Sequence, residues 1–186
     1  MPKLIIGFVG QAGSGKGTAA NLLHEKYGAM VFTFSSILTD ILNRLYLPSS
    51  RDNLVNMSIT LRQGFGQNIL AKAMSRQIEN STADVVVVDG IRRLDDIEDL
   101  KSNPAFHFIE IMVDPKIRFE RLKKRNQKPG EAEMTWEDFL AVGQKETELS
   151  IAKVAEQADI KITNEGDIQA LGKQLDELVK KMTTYK

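Results

Sequence analysis

The feature that most restricts the fold of this chain is a glycine-rich segment at positions 10–18, with the sequence GQAGSGKGT. It follows the apolar run Leu4–Val9, which predicts a buried strand, and precedes a helical stretch at 19–27. Glycine allows backbone conformations that other residues avoid, so that successive N–H groups can point at phosphate oxygens. The N-terminus of the following helix adds its positive dipole end at the same place. The segment predicts a phosphate-binding loop. The alternative, a glycine-rich turn with an unrelated lysine, agrees less well with the fixed spacing and the flanking elements.

Side chains and backbone of this loop are expected to bind ATP and magnesium. Lys16 is placed to reach the β- and γ-phosphates, and a hydroxyl close to it can bind Mg²⁺. The common pattern GxxxxGK[ST] has that hydroxyl at position 17, where this chain has Gly17 and then Thr18. We therefore expect Thr18 to be a metal ligand. The residues predicted to bind the nucleotide are Gly10, Ala12, Gly13, Ser14, Gly15, Lys16, Gly17 and Thr18.

Short apolar runs alternate with helical patterns along the rest of the chain. Further strands are predicted near 30–34, 85–88, 108–113 and 160–162, and the alternation favours a doubly wound α/β domain. From position 36 to 83 there is no convincing strand, which predicts a helical insertion. We expect one domain over 1–186, with a core at 1–35, 84–125 and 135–186, an insertion at about 36–83 and a short lid at about 126–134.

Composition excludes several classes of protein. Lys and Arg number 25 and Asp and Glu number 25, so a globally basic nucleic-acid binder is not expected. The absence of cysteine excludes disulfides and cysteine nucleophiles. The apolar runs are far shorter than the roughly 20 residues that cross a bilayer, and no signal-peptide pattern is present. We expect a cytoplasmic monomer or homodimer that binds small-molecule nucleotides, with no membrane partner and no specific nucleic acid.

A second motif, VVVVDGIRR at 85–93, is predicted to lie beside the loop. Asp89 follows a buried strand and so lies in the crevice where open α/β sheets bind ligands, where its carboxylate can hold a Mg²⁺-bound water. Arg92 and Arg93 then offer fork-shaped donors for phosphate oxygens. Asp-Gly is also common turn chemistry, and its pairing with the phosphate loop favours a functional interpretation.

A basic segment at 116–128 is the third motif. Arg118, Arg121 and Arg125 are three and four residues apart and share one helical face. Such a row suits a phosphoryl group in transfer, whereas the alternative interpretation is a solvated basic helix.

These three motifs, in this order and at this spacing, resemble the adenylate kinase-like nucleoside monophosphate kinases. That family has the box DGFPR, which Asp89, Gly90 and Arg93 match, while Ile91 and Arg92 depart from it. The closing segment 158–166 is similar to the end of dephospho-CoA kinases, and the whole chain is similar to adenylate kinase-related ATP-binding proteins. The resemblance implies a P-loop NTPase fold: a five-stranded parallel sheet flanked by helices, with a helical insertion that binds the monophosphate and a short lid.

The resemblance also implies roles for individual residues. Lys16, Arg121 and Arg125 are the expected catalytic residues, the two arginines neutralising the migrating phosphoryl group when the lid closes. Thr18 binds Mg²⁺ directly and Asp89 through water. The family's arginine after the second strand and its adenine-reading glutamine are missing here, the latter position being Ile97. The residues predicted to bind the acceptor are Ser35, Arg62, Gly90, Arg92 and Arg93.

The sequence thus predicts transfer of the γ-phosphate of ATP to a nucleoside monophosphate. One alternative is a dephospho-CoA kinase, although the aspartate that would activate a hydroxyl acceptor is replaced by Ser35 and Ser36. Another is an ATPase or interaction protein built on the same fold. A GTPase is not favoured, because the chain has no NKxD motif and has Gly17 where GTPases have a hydroxyl.

Overall fold

The sheet is entirely parallel and is flanked by helices. The computed structural model describes residues 2–125 and 130–184. The strands are β1 (Leu4–Val9), β2 (Met30–Thr33), β3 (Val85–Asp89), β4 (Phe106–Met112) and β5 (Ile160–Thr163). The helices are α1 (Lys16–Tyr27), α2 (Phe34–Arg44), α3 (Arg51–Phe65), α4 (Ile69–Glu79), α5 (Glu98–Lys101), α6 (Pro115–Arg125), α7 (Trp136–Gly143), α8 (Glu146–Ala155) and α9 (Ile168–Thr184), with a turn of 3₁₀ helix at Leu94–Asp96.

The strand order, β2-β3-β1-β4-β5, confirms the predicted five-stranded parallel sheet. β1 is central, and all six of its residues are buried, as its continuous apolar sequence predicts. In a parallel sheet all carboxyl ends lie at one edge, so the segments after β1, β3 and β4 meet there. That edge carries the glycine-rich loop and Asp89.

Two hydrophobic layers cover the sheet. One contains Met74 of α4 and Val154 of α8, packed with β1 and β3 residues such as Val88. The other contains Leu23 of α1 and Leu171 of α9. The alternating faces of the strands thus bury apolar side chains on both sides, which is the reason for their uninterrupted apolar runs.

The segment between β2 and β3 contains the three helices α2, α3 and α4. β2 ends at Thr33, one residue before the expected end, because the Thr33 hydroxyl accepts the N–H of Ser36 at 3.0 Å and caps α2. Ser50 caps α3 in the same way. Of the expected lid, 126–129 lie outside the described residues.

Within residues 2–125 and 130–184, no helix has both the length and the apolar character that a membrane crossing requires.

Candidate functional site

The glycine-rich loop connects β1 to α1. At two positions its backbone has a conformation that only glycine adopts readily. Gly13 has a φ of 82° and Gly15 a φ of 97°. A Cβ on Gly13 would lie 2.9 Å from the carbonyl oxygen of Arg118. Gly15 is the N-cap of α1 and has no side chain to occupy the first-turn N–H groups, which are left for an anion. The local geometry is that of a phosphate-binding loop.

Lys16 lies across this loop. Its Nζ donates to the carbonyl oxygens of Gly10 at 2.6 Å and Gln11 at 3.3 Å. Burial lowers the pKa of Lys16, and the negative charges of Asp89 and Glu148 act in the opposite direction. The ammonium is therefore held on two carbonyls, within electrostatic range of two carboxylates.

Asp89 ends β3, which pairs with β1 beside the loop. One oxygen of its carboxylate accepts the N–H of Gly90 at 2.7 Å, and Gly90 has a φ of 84°. Thr18, the other predicted metal ligand, is exposed in the first turn of α1. No group of three His, Asp or Glu side chains that would hold a metal lies within the described part of the chain. A hydroxyl and a carboxylate are hard oxygen donors, which suit Mg²⁺ that is shared with phosphates and water.

The basic helix α6 contributes a different arginine from those expected. Arg118 is 8% exposed, and its Nη1 donates to the carbonyl oxygen of Ala12 at 3.3 Å. Its guanidinium carbon also lies 5.1 Å from the ring centre of Phe139. Burial lowers the pKa of Arg118, opposed by the charges of Glu148 and Asp114, and an arginine remains protonated. Arg118 thus supports the loop directly, although its place on the basic face was the only signal for it in the sequence.

Arg121 and Arg125 lie on the same helix but are bonded elsewhere. Arg121 donates to the carbonyl oxygens of Asn164 at 2.8 Å and Gly166 at 3.3 Å, after β5. Arg125 forms an ion pair with Glu131, which is 4% exposed. The structure therefore does not bring either guanidinium to the loop, and their expected role at the phosphoryl group stays a prediction.

The segment after β5 supports the loop from the other side. The side-chain amide of Asn164, 6% exposed, donates to the carbonyl oxygen of Ser14 at 2.9 Å. Ser14 itself is buried. Asn164 was not among the predicted site residues, and only the similarity of 158–166 to another kinase family pointed to this region.

Helix α8 brings a second carboxylate to the site. The Oγ of Ser150 donates to the carbonyl oxygen of Arg92 at 2.7 Å, which places the N-terminal half of α8 beside the segment after β3. Glu148 shares a helical face with Ile151 and Ala152, which line a cavity of about 210 Å³ together with Gly10, Gln11 and Arg118. Burial lowers the pKa of both Lys16 and Arg118, and the charge of Glu148 partly opposes that lowering at each. No motif in the sequence marks Glu148.

The predicted acceptor residues divide into two groups. Arg92 and Arg93 have exposed side chains, and their N–H groups each lie 3.0 Å from Oδ2 of Asp96. Exposed Ser35 follows Thr33, which pairs with Asp89 across the sheet. Arg92, Arg93, Ser35 and Gly90 all lie at the edge of the sheet where the strands have their carboxyl ends.

Arg62, in contrast, is not available for a phosphate. It is 5% exposed, and its guanidinium is paired with Asp96 at 2.5 Å. Its Nη1 donates to the carbonyl oxygen of Gln67. The prediction that Arg62 contacts the acceptor is wrong, because its guanidinium donates to groups inside the protein.

Comparison with known proteins places the sequence in a family. Residues 9–139 match the AAA domain family. A UPF0200 protein of Thermococcus onnurineus is 32% identical over 186 residues, covering 96% of this chain and 98% of that protein. A UPF0200 protein of Sulfurisphaera tokodaii is 31% identical over 180 residues, covering 96% of this chain and 97% of that protein.

Solved structures share the fold at low sequence identity. The shikimate kinase of Bacteroides thetaiotaomicron is 18% identical with a TM-score of 0.64, covering 95% of this chain and 98% of that chain. The shikimate kinase of Aquifex aeolicus is 15% identical with a TM-score of 0.61, covering 98% of this chain and 100% of that chain. These similarities support a P-loop kinase-like fold, and the resemblance to adenylate kinases and dephospho-CoA kinases stays a prediction.

Proposed function

This chain belongs to the UPF0200 family and has an AAA domain, and from its site we propose that it is an ATP- and Mg²⁺-dependent phosphotransferase acting on a nucleoside monophosphate. The observation that carries this proposal is the arrangement of Lys16, the open N-terminus of α1 and Asp89 around one loop. Phosphoryl transfer needs mainly positioning and charge neutralisation, which this arrangement supplies.

On the donor side, the loop N–H groups and Lys16 hold the β- and γ-phosphates of ATP. Thr18 directly, and Asp89 through water, would hold Mg²⁺, which would supply positive charge that neutralises the phosphates. Arg118 keeps the loop in place through the carbonyl of Ala12. Arg121 and Arg125 reach the phosphoryl group only after leaving their present carbonyl and carboxylate partners.

On the acceptor side, Arg92 and Arg93 support a phosphate-bearing substrate. Their guanidinium groups are exposed, while their backbone is held by Asp96. A monophosphate is already an anionic nucleophile, so it needs no general base.

A second candidate is transfer to a hydroxyl group, as in a dephospho-CoA kinase. Glu148 favours it, because a hydroxyl acceptor gains from a carboxylate that takes its proton. The sequence lacks the expected aspartate after β2, and α8 supplies a carboxylate from another direction.

The test is ADP release from ATP and Mg²⁺ with each common nucleoside monophosphate, with dephospho-CoA and with no acceptor. Stimulation by one monophosphate supports the first proposal, and stimulation by dephospho-CoA alone replaces it with the second. Equal hydrolysis under every condition indicates an ATPase. Lys16→Ala is the control for the site, and turnover near that of the wild type would place the chemistry elsewhere.

A further inference from the structure

Asp96 is a buried residue outside the phosphate loop. Both oxygens of its carboxylate accept hydrogen bonds from neighbouring groups. It lies in the 3₁₀ turn after β3 and is 2% exposed. Its Oδ2 accepts the N–H groups of Arg92 and Arg93, each at 3.0 Å, and its Oδ1 accepts Nη2 of Arg62 at 2.5 Å. Because burying a carboxylate is costly without such donors, the three bonds depend on one another.

Arg62 extends this contact into the helical insertion. Its Nε donates to the Oγ of Ser58 at 3.4 Å, one turn earlier on α3, and its Nη1 donates to the carbonyl of Gln67 in the α3–α4 turn. One guanidinium therefore joins α3, the α3–α4 turn and Asp96. The planar guanidinium of an arginine has its N–H donors in a fixed arrangement and can make all three contacts at once, whereas the ammonium of a lysine cannot.

We propose that Asp96 and Arg62 are positioning residues that hold the backbone of Arg92 and Arg93 against α3, so that both arginine side chains face the anionic group of the acceptor. This inference rests on the proposed function. Gly90 precedes the arginines with a φ of 84° and lets the chain turn sharply. Beyond it, the Asp96 carboxylate supplies the side-chain acceptor for both arginine N–H groups. A backbone fixed in advance lowers the ordering cost of binding.

The buried ion pair of Arg62 and Asp96 differs from an exposed ion pair at the surface. The chain also contains a surface pair with which it can be compared. Arg76 and Glu79 pair at 2.6 Å on α4, also in the insertion, with side chains 80% and 37% exposed. Arg76→Met removes the same chemical group from the same insertion without touching Asp96. It is the matched control for Arg62→Met.

The kinetic test uses the nucleoside monophosphate that stimulates ADP release most among AMP, CMP, GMP, UMP and dTMP. For Asp96→Asn and Arg62→Met we expect the KM of that acceptor to rise about 10- to 100-fold while the KM of ATP changes less than about twofold. Arg76→Met leaves both constants unchanged. An equal rise of both constants in the Asp96 and Arg62 variants overturns the proposal, because a general loss of structure would affect both substrates.

A comparison of combined variants separates positioning from folding. If Asp96 acts through the arginines, Asp96→Asn adds less than about twofold to the acceptor KM of a variant that already carries both Arg92→Ala and Arg93→Ala. Full additivity overturns the proposal. If Asp96→Asn does not fold, Arg62→Lys replaces it in this comparison, because lysine keeps the positive charge but lacks the guanidinium donors. The expected effect on the acceptor KM is the same.

Amide hydrogen exchange provides a measurement that needs no substrate. We expect the N–H groups of Arg92 and Arg93 to exchange faster in Arg62→Met and in Asp96→Asn than in the wild type, and by a larger factor than the N–H groups of α1. If no monophosphate stimulates turnover, the proposed function fails on that result alone. Unchanged exchange at Arg92 and Arg93 overturns the positioning role whether or not the function holds.

Discussion

The side-chain amide of Asn164 donates to the carbonyl oxygen of Ser14 at 2.9 Å, in a buried bond between residues 150 positions apart. It connects the end of β5 to the phosphate loop. The carbonyl of Asn164 in turn accepts Nη1 of Arg121 at 2.8 Å. The segment after β5 thus acts as a support for the loop and brings the basic helix α6 to the same place.

Asn164→Ala tests that support. We expect the Kd of ATP to rise about tenfold, since losing a buried hydrogen bond costs about 1–3 kcal/mol and about 1.4 kcal/mol corresponds to tenfold. The control is Gln174→Ala, which removes an exposed amide bonded to the carbonyl of Thr163 at 3.0 Å. Calorimetric titration with ATP measures both, and equal affinities for the two variants would contradict the supporting role.

Gly13→Ala tests the shape of the loop. The substitution forces an L side chain to a φ of 82° and places its Cβ 2.9 Å from the carbonyl of Arg118, so we expect ATP binding to be lost. Gly172→Ala is the control, because a Cβ on that residue of α9 meets nothing within 4 Å. It should bind ATP normally and gain up to about 1 kcal/mol in free energy of unfolding from its helical position.

Features set by neighbouring residues were predictable from the sequence. The phosphate loop, the strand that ends at Asp89 and the helix that starts after Thr135 follow from local patterns, and the parallel sheet follows from their alternation. Thr135 and Asp138 form a capping box, the signature of that helix start.

Features that depend on tertiary contacts were missed or placed wrongly. Arg62 has the sequence environment of an exposed helical arginine, yet it is buried because Asp96 lies opposite it after folding. Glu148 reaches Lys16 only because α8 packs against the segment after β3. Nothing in a single sequence indicates which distant carboxylate meets which cation, since the pairing is decided by the packing of helices onto the sheet.

Arg62→Met is expected to lower the free energy of unfolding by about 3–5 kcal/mol, because it leaves the buried carboxylate of Asp96 without its cation. Arg76→Met, at the exposed pair on α4, should cost less than about 1 kcal/mol. Urea unfolding of the two variants gives the comparison. Losses of equal size would mean that the buried pair contributes no more than a surface pair.

Lys16→Met is expected to raise stability at neutral pH while abolishing activity. Burial lowers the pKa of Lys16 below its ordinary value of 10.5, so the charged form is less favourable in the folded protein than in the unfolded chain. The cost is fully present below the folded pKa and diminishes as the pH rises through it toward 10.5. The gain from the substitution should therefore shrink with rising pH.

Urea unfolding of wild type and Lys16→Met at about pH 7 and about pH 10 measures this change. Lys72→Met, which replaces an exposed lysine of α4, corrects for the general effect of losing one positive charge. A stability difference for Lys16→Met that is the same at both pH values would contradict the prediction.

Glu148→Gln distinguishes the two acceptor classes. A hydroxyl must lose its proton as its oxygen bonds to the γ-phosphorus, whereas a monophosphate oxygen attacks in its ionised form. With a hydroxyl acceptor, we expect the substitution to lower kcat about 100-fold or more. With a monophosphate, kcat should stay within about threefold, because Glu148 then has no proton to accept.

Glu146→Gln, at an exposed position in the same first turn of α8, is the control. A fall of equal size with both acceptor classes would show instead that Glu148 acts through the charges of Lys16 and Arg118, which lie within its electrostatic range.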